Sequence, residues 1–345
     1  MSSTTAAVVA ESAAWDGPTP QVAAVVATYQ RAGFLAELVA ALEAQDLPPA
    51  DVEVVLVDNG STDGTADELA RLAATTSLRL RVVRMERNRG PAPGRNAGVR
   101  ATRAPIVAIT DDDCLPTPGW LRGILAAFAD GADVVQGTVH ADPVGRETMG
   151  PWDHTIWVTV PTPFFETCNV AYRRSAFDRA GGFDEDDPLL HPPSGRAFGE
   201  DACLAWEVQR TGGRAAFTSE ALVHHRCIPS TYERWLADQR ELAGFPGLAR
   251  RSPLVARMFV GGLFLSRRSA RFDLAVASLV AAVLLRRPVL VVLTLPWAWM
   301  RWKDAVRAGR SRRAAPALLA RLAWSDTVAL GALLRGSVRH RRPVL

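Results

Sequence analysis

The chain has 345 residues, long for a single core and enough for one large domain with an appendage or for two domains. Its net charge of +4 conceals a division: residues 1–229 hold 19 Lys and Arg against 30 Asp and Glu, a net of −11, and residues 230–345 hold 21 against 6, a net of +15. In the second part Arg is interleaved with aliphatic runs and not with exposed aromatic platforms, which argues against nucleic acid as a partner and for an anionic membrane surface. The four cysteines have no C-x-x-C spacing, which excludes a zinc site or a disulfide scaffold as the organising device and fits a reduced, cytosol-facing compartment. Residues 1–20 lack a basic segment followed by an apolar core, so a disordered leader is expected in place of a signal peptide.

From residue 21 to residue 110 short apolar runs alternate with amphipathic stretches, the pattern of β-α-β units and a mostly parallel sheet. Strands are predicted over 22–27, 52–57, 80–83 and 106–109, with helices over 34–44 and 65–74, the second capped by Asp63. A helix with Pro118 in its first turn follows, then a strand over 134–139, an irregular insertion over 140–165, a helix over 200–210 and a strand over 214–217. Beyond residue 228, runs of about a dozen apolar residues occupy 254–265, 272–285 and 289–300, each shorter than the roughly 20 needed to cross a bilayer. Arg286, Arg287 and Pro288 interrupt the longest stretch, so in-plane helices or a re-entrant hairpin are expected and no spanning segment.

The most informative local feature is Asp111-Asp112-Asp113 directly after the apolar run 104–109. A buried strand delivers these carboxylates together to its carboxyl end, where open α/β sheets bind ligands. Clustered oxygens suit a hard divalent ion, Mg²⁺ or Mn²⁺, that also holds phosphate. A turn using Asp side chains for its own backbone explains one or two of them, not three. Asp58 ends the run 54–57 in the same way, and the strand over 22–27 runs into Thr28, Tyr29 and Arg31. An aromatic ring and a carboxylate on neighbouring strand ends make a nucleoside pocket. The segment 88–98 lacks both the G-x-G-x-x-G and the G-K-[ST] spacing, but its small residues can let a helix start approach a diphosphate, with Arg95 supplying charge.

Val25-Val26-Ala27-Thr28-Tyr29, Val57-Asp58-Asn59-Gly60-Ser61, Gly94-Arg95-Asn96-Ala97-Gly98 and Thr110-Asp111-Asp112-Asp113 occur in the order and spacing of the family 2 glycosyltransferases, which the chain resembles over residues 21–225. The resemblance implies an α/β GT-A fold, Rossmann-like, with a mixed, mostly parallel sheet flanked by helices. It also implies a nucleotide-sugar donor, a divalent metal and inversion at the anomeric carbon. Tyr29 and Asp58 match positions that contact the base, Asp111 the carboxylate near the ribose, and Asp113 the metal-binding carboxylate. Asp112 is the middle position of the donor motif.

Downstream, Cys168-Asn169-Val170-Ala171-Tyr172 and Gly181-Gly182-Phe183-Asp184-Glu185 resemble the family's acceptor-side strand and turn, and Glu200-Asp201 its acidic pair at a helix start. Inverting transfer needs a general base opposite the leaving nucleotide. Asp201 is favoured for that role, with Glu200 contacting the acceptor or supporting the residues that do, and the order of the two stays open. His224 or His225 could complete the metal shell, His224 being preferred. Arg234-Trp235 is retained without the Gln of the processive members' Gln-x-x-Arg-Trp, which argues against a polymer-extruding synthase.

The expectation is therefore a leader over 1–20, a GT-A domain over 21–228 and a basic helical region over 229–345. The expected enzyme works at the cytoplasmic face of the membrane, as a peripheral or re-entrant protein. Its acceptor would be lipid-linked, a cell-envelope glycan or a small molecule. A metal-dependent nucleotidyltransferase and a non-catalytic membrane scaffold are the competing readings.

Overall fold

Val52–Asp58 is buried along its whole length, the mark of a strand covered on both faces. In the computed structural model, which describes residues 6–15, 17–187, 198–308 and 315–345, this strand lies inside a nine-stranded sheet. The strands are β1 Ala6–Glu11, β2 Val22–Thr28, β3 Val52–Asp58, β4 Arg79–Met85, β5 Ile106–Asp111, β6 Cys114–Pro116, β7 Val134–Ala141, β8 Val170–Arg173 and β9 Ala215–His225. Their order is β1-β4-β3-β2-β5-β8-β7-β9-β6. The β4-β3-β2-β5 half is parallel, β8 runs against both its neighbours, β7 and β9 are parallel, and β1 and β6 close the two edges antiparallel.

Alternation along the strands feeds two cores. Val22, Ala24, Val26, Val54 and Leu56 face one layer, packed with α1 Ala32–Glu43, α2 Thr65–Thr75 and, further along the sheet, α4 Trp120–Ala129. Val25, Val55 and Val57 face the other, packed with α3 Pro91–Arg100 and, further along, α6 Arg174–Ala180 and α7 Glu200–Arg210. Helix α1 buries Leu35, Leu38, Val39 and Leu42, a stripe at i, i+3, i+4 and i+7 that dictates its docking face. A short α5, Pro143–Thr148, lies in the insertion expected to be irregular.

Three local expectations are corrected. Residues 6–11 of the expected leader form β1, because the short apolar run over 6–10 can pair the otherwise open edge of β4; Arg81 and Glu11 then meet at 2.6 Å. Residues 1–5 and 16 of that leader lie outside the described residues. Asp63 is not the cap residue of α2; Gly64 is, and the Asp63 carboxylate accepts from the Thr65 amide at 3.0 Å. Pro118 precedes the cap Gly119 and is not in the first turn of α4.

The chain divides into two units, Met1–Glu147 with Thr155–Cys227, which holds the sheet, and Thr148–His154 with Ile228–Leu345. The second unit is helical: α8 Tyr232–Glu241, α9 Phe245–Arg251, α10 Pro253–Arg257, α11 Arg267–Leu284, α12 Leu295–Ala308 and α13 Ala315–His340. Its apolar cluster joins Trp152 to Ala305, Ala315, Leu318 and Leu322. Among the described residues α13 alone is long and apolar enough to cross a membrane by length and composition; it lies outside the three apolar runs expected, and Arg321, Asp326 and Arg335 interrupt its apolar pattern. Asp326 is buried on its packed face, where it accepts from Arg301 Nε of α12 at 2.7 Å and from Trp297 Nε1 at 2.9 Å. That face of α13 therefore packs within the helical unit.

Candidate active site

Strands β2, β3 and β5 end in step. Thr28 stands opposite Asp58 across β2–β3, and Asp111 opposite Ala27 across β2–β5. These residues thereby share the carboxyl edge of the parallel strands. Asp58 is 1% exposed; its Oδ1 accepts from the Ser61 amide at 2.8 Å, while Oδ2 lies 3.2 Å from Arg84 Nη1 without a well-formed hydrogen bond. Gly60 turns the chain here at φ +75°, where a Cβ would come within 2.6 Å of the Arg87 backbone, so only glycine fits. The Gln30 amide donates to Ser61 Oγ at 3.0 Å and the Arg31 amide to Thr65 Oγ1 at 3.1 Å, which ties the loop after β2 to the loop after β3. Tyr29 is left 41% exposed on that loop, its ring available for stacking.

Gly94 and Gly98 serve a different purpose from the one expected. A Cβ on Gly98 would meet Val25 Cγ1 at 2.4 Å, and one on Gly94 would meet Ala27 Cβ at 3.1 Å, so the glycines let α3 lie close on β2 and β3. Close docking carries Arg95 inward. It is 6% exposed, with Nη2 donating to Asp111 Oδ1 at 2.7 Å and Nη1 to Glu200 Oε1 at 3.0 Å. Burial works against its charge, but the carboxylates of Asp111 and Glu200 outweigh that cost and hold the guanidinium firmly ionised. Arg95 therefore clamps the end of β5 to the start of α7 and does not project toward open solvent as an exposed phosphate ligand would.

The three consecutive aspartates diverge. Asp111 meets Arg95, whereas Asp112 turns inward, 8% exposed, and accepts from Thr28 Oγ1 at 2.6 Å; burial lifts its pKa to about 7, the Thr28 hydrogen bond only partly offsetting this. Asp113 has Arg31 Nη2 at 3.9 Å and His225 Nε2 at 3.6 Å. Burial, and then the charge of Asp111, push the Asp113 carboxyl up, a strain that a bound cation would relieve.

His225, and not the preferred His224, is the histidine at this point. Strand β6 pairs with the end of β9 so that Cys114 stands opposite His225, while His224 stands opposite Leu115 and beside His140 of β7. Successive residues on a strand face opposite sides, so only one of the adjacent pair can reach Asp113. Asp113, Cys114 and His225 bring their ligand atoms within 4.8 Å of one another. His225 Nδ1 lies 2.8 Å from the Arg226 carbonyl, which can only accept; the proton is thereby placed on Nδ1, and Nε2 faces Asp113. Burial raises the pKa of Cys114, keeping it a neutral thiol and a poor partner for a hard ion. A carboxylate and an imidazole fit a divalent ion that keeps other positions for phosphate oxygens or water.

Glu200 and Asp201 open α7 after Gly199, whose φ is +77°. Their environments differ. Glu200 is neutralised by Arg95, but Asp201 forms no ion pair among the described residues and accepts only from the Ala202 amide, at 2.8 Å. Burial, and then Glu200, push the Asp201 carboxyl well above the usual carboxylate range. Two supporting residues escaped the sequence reading. Asn96 grips the turn after α6 by donating to the Phe183 carbonyl at 2.7 Å and accepting from its amide at 3.0 Å. Asn169 joins Trp120 Nε1 to the carbonyls of Thr138 and Ala221, each contact at 2.8 Å. Only the long sequence separation of these partners hid them.

Comparison with known proteins gives this edge of the sheet its class. Residues 23–183 match the family described as Glycosyl transferase family 2. It is 34% identical over 121 residues to the glycosyltransferase AglE of Haloferax volcanii, covering 35% of this chain and 40% of that protein. It is 30% identical over 214 residues to the succinoglycan biosynthesis protein ExoO of Rhizobium meliloti, covering 59% of each. The chain thus spans about half the length of these curated relatives. Among solved structures it resembles the mannosyltransferase PcManGT from Pyrobaculum calidifontis in complex with GDP-Man and Mn²⁺, with a TM-score of 0.57 and 23% identity over 94% of this chain and 88% of that one. The fold is GT-A.

Proposed function

We propose that the chain is an inverting glycosyltransferase that moves a sugar from a nucleoside-diphosphate-sugar to an acceptor hydroxyl. The observation that carries this reading is the Arg95 clamp, at 2.7 Å to Asp111 and 3.0 Å to Glu200, which joins the donor edge to an acidic helix start and leaves Asp201 without an ion pair among the described residues. Of two neighbouring carboxylates, the one bound to a cation suits positioning and the one held without an ion pair, its pKa raised by burial, suits proton transfer. Asp201 removes the acceptor proton as the oxygen attacks the anomeric carbon, and Glu200 holds Arg95 in place. Tyr29 stacks on the base and Asp58 Oδ2 accepts a base N–H. Asp111, fixed through Oδ1, offers its other oxygen to the ribose. Asp113 and His225 would hold Mg²⁺ or Mn²⁺, which supplies charge neutralisation for the departing diphosphate. Arg31, 3.9 Å from Asp113, stands where a second positive charge would aid the same group.

The succinoglycan relative supports an acceptor among cell-envelope glycans, free or lipid-linked, and the basic second unit supports work at the cytoplasmic face of the membrane. A nucleotidyltransferase would share the metal and the carboxylates but has no use for Asp201 on the acceptor side. Calorimetry of the full chain with a nucleoside diphosphate and Mn²⁺ tests the donor half. Asp113→Ala should abolish metal-dependent affinity while leaving thermal unfolding unchanged, and unaltered, still metal-dependent binding overturns the assignment.

A further inference from the structure

The helical unit leaves one stretch of apolar surface uncovered. Of the twenty-three exposed large apolar side chains among the described residues, twelve lie between positions 274 and 299. Val283, Leu284, Leu285, Val289, Val292 and Leu295 are 57–77% exposed. They follow one another through a hairpin: the second half of α11, a turn at Arg286 with φ +51°, a 3₁₀ segment Pro288–Thr294 packed against α11, and the start of α12. The twelve exposed side chains between 274 and 299 together present on the order of 1,000 Å² of apolar surface, beyond the roughly 300–600 Å² of the largest patch on an ordinary soluble monomer.

Charge identifies the occupant. Between Asp273 and Asp304 there is no acidic residue, and the only charged ones are Arg286, Arg287, Arg301 and Lys303. Arg286 and Arg287 are exposed at the turn, and Trp299, 61% exposed, adds an amphipathic ring of the kind that favours a headgroup boundary. The apolar half of α11, residues 274–284, is about 17 Å long at 1.5 Å per residue, well short of the ~30 Å hydrocarbon core. Arginines at the turn would be costly at the bilayer centre but are favourable at the phosphates. The longer α13 is the poorer candidate, since its packed face holds Asp326 against Arg301.

We propose that the hairpin over residues 274–299 is the membrane-docking element, lying in the interface of an anionic bilayer with its aliphatic side chains in the acyl boundary and Arg286 and Arg287 at the headgroups. This rests on the membrane part of the functional reading and is independent of its chemistry. Flotation of the full chain with phosphatidylcholine vesicles, with and without phosphatidylglycerol, provides the test. Wild type should float with anionic vesicles and lose part of its capture in high salt. Val283→Glu with Leu284→Glu should weaken capture at least about a hundredfold, since a single exposed aliphatic side chain transferred from water is worth roughly tenfold. Arg286→Glu with Arg287→Glu should erase the preference for anionic lipid. Trp324→Glu with Val338→Glu, on the exposed side of α13, should float like wild type. The substituted positions are all exposed, and unchanged nucleoside-diphosphate binding shows that the first unit is intact and keeps this result separate from the catalytic reading. Capture lost only in the α13 variant overturns the proposal. So does a wild-type chain that ignores vesicles and instead forms a dimer broken by the hairpin substitutions, which would make the occupant a second copy.

Discussion

Asp201 and Asp326 are both carboxylates drawn out of bulk water, and the two units treat them in opposite ways. In the helical unit Asp326 receives Arg301 Nε at 2.7 Å and Trp297 Nε1 at 2.9 Å, so its charge is answered within the fold. In the sheet unit Asp201 receives, among the described residues, one backbone amide at 2.8 Å and no ion pair, although Arg95 serves its neighbour Glu200. The same inversion governs apolar surface. Strands β2 and β3 are covered on both faces, whereas α11 and the turn after it expose aliphatic side chains. A fold that leaves a carboxylate underpaired bears a cost that a substrate proton can use, and one that leaves aliphatic surface bare bears a cost that a partner surface can remove.

The comparison breaks first at Asp201. Asp201→Asn should lower turnover about 10²–10⁴-fold with donor binding little changed, because the side chain acts on the acceptor proton and not on the nucleotide. The wild-type pH profile carries its own signature. Transfer needs the ionised form, and the raised pKa places gain of activity, as pH rises, above the ordinary carboxylate range. That acid limb should vanish from the residual activity of Asp201→Asn; a retained limb moves the role to another group. At Asp326 the expected loss is in stability and not in transfer. Asp326→Asn leaves Arg301, 3% exposed, with only the more exposed Asp304, 3.1 Å from its Nη1, as a carboxylate partner, at a cost of up to about 3–5 kcal/mol. Denaturant unfolding measures it, and a loss below about 1 kcal/mol would show that the pair is no better than a surface ion pair.

What the sequence made legible was whatever depends on neighbours in the chain. Apolar runs gave β2, β3, β4 and β5 to within a few residues, the Asp111–Asp113 cluster stood out by composition, and the Glu200-Asp201 pair by its resemblance to the family's acidic pair. Features set by distant partners stayed hidden. Arg95 read as a charge for phosphate, since nothing local announces that Gly94 and Gly98 dock α3 closely enough to seat it between Asp111 and Glu200. Strand β1 depends on the open edge of β4, too distant in the chain to see from residues 6–11 alone. For α13, charged residues that are answered across helices look, letter by letter, like interruptions.

The smallest effect discriminates most finely, because it concerns two identical residues in adjacent positions. Which of His224 and His225 faces the carboxylates is a matter of strand parity, and parity on β9 is fixed by its pairing with β6, which sets Cys114 against His225 and Leu115 against His224. Only His225 has Nε2 at 3.6 Å from Asp113 and Nδ1 held by the Arg226 carbonyl at 2.8 Å. Even the loss of an outer hydrogen-bond partner of a metal-bound histidine costs about 10–100-fold in affinity, so removal of a direct ligand should cost at least tenfold. His225→Gln should therefore raise the Mn²⁺ concentration for half-maximal nucleoside-diphosphate binding by about tenfold or more, with unfolding little altered. His224→Gln, whose ring lies by His140, should leave that concentration unchanged. Equal shifts in both variants would mean that the histidines act through the end of β9 as a whole, and a shift confined to His224→Gln would reverse the register argument and, with it, the assignment of Asp113 and His225 as the pair that holds the ion.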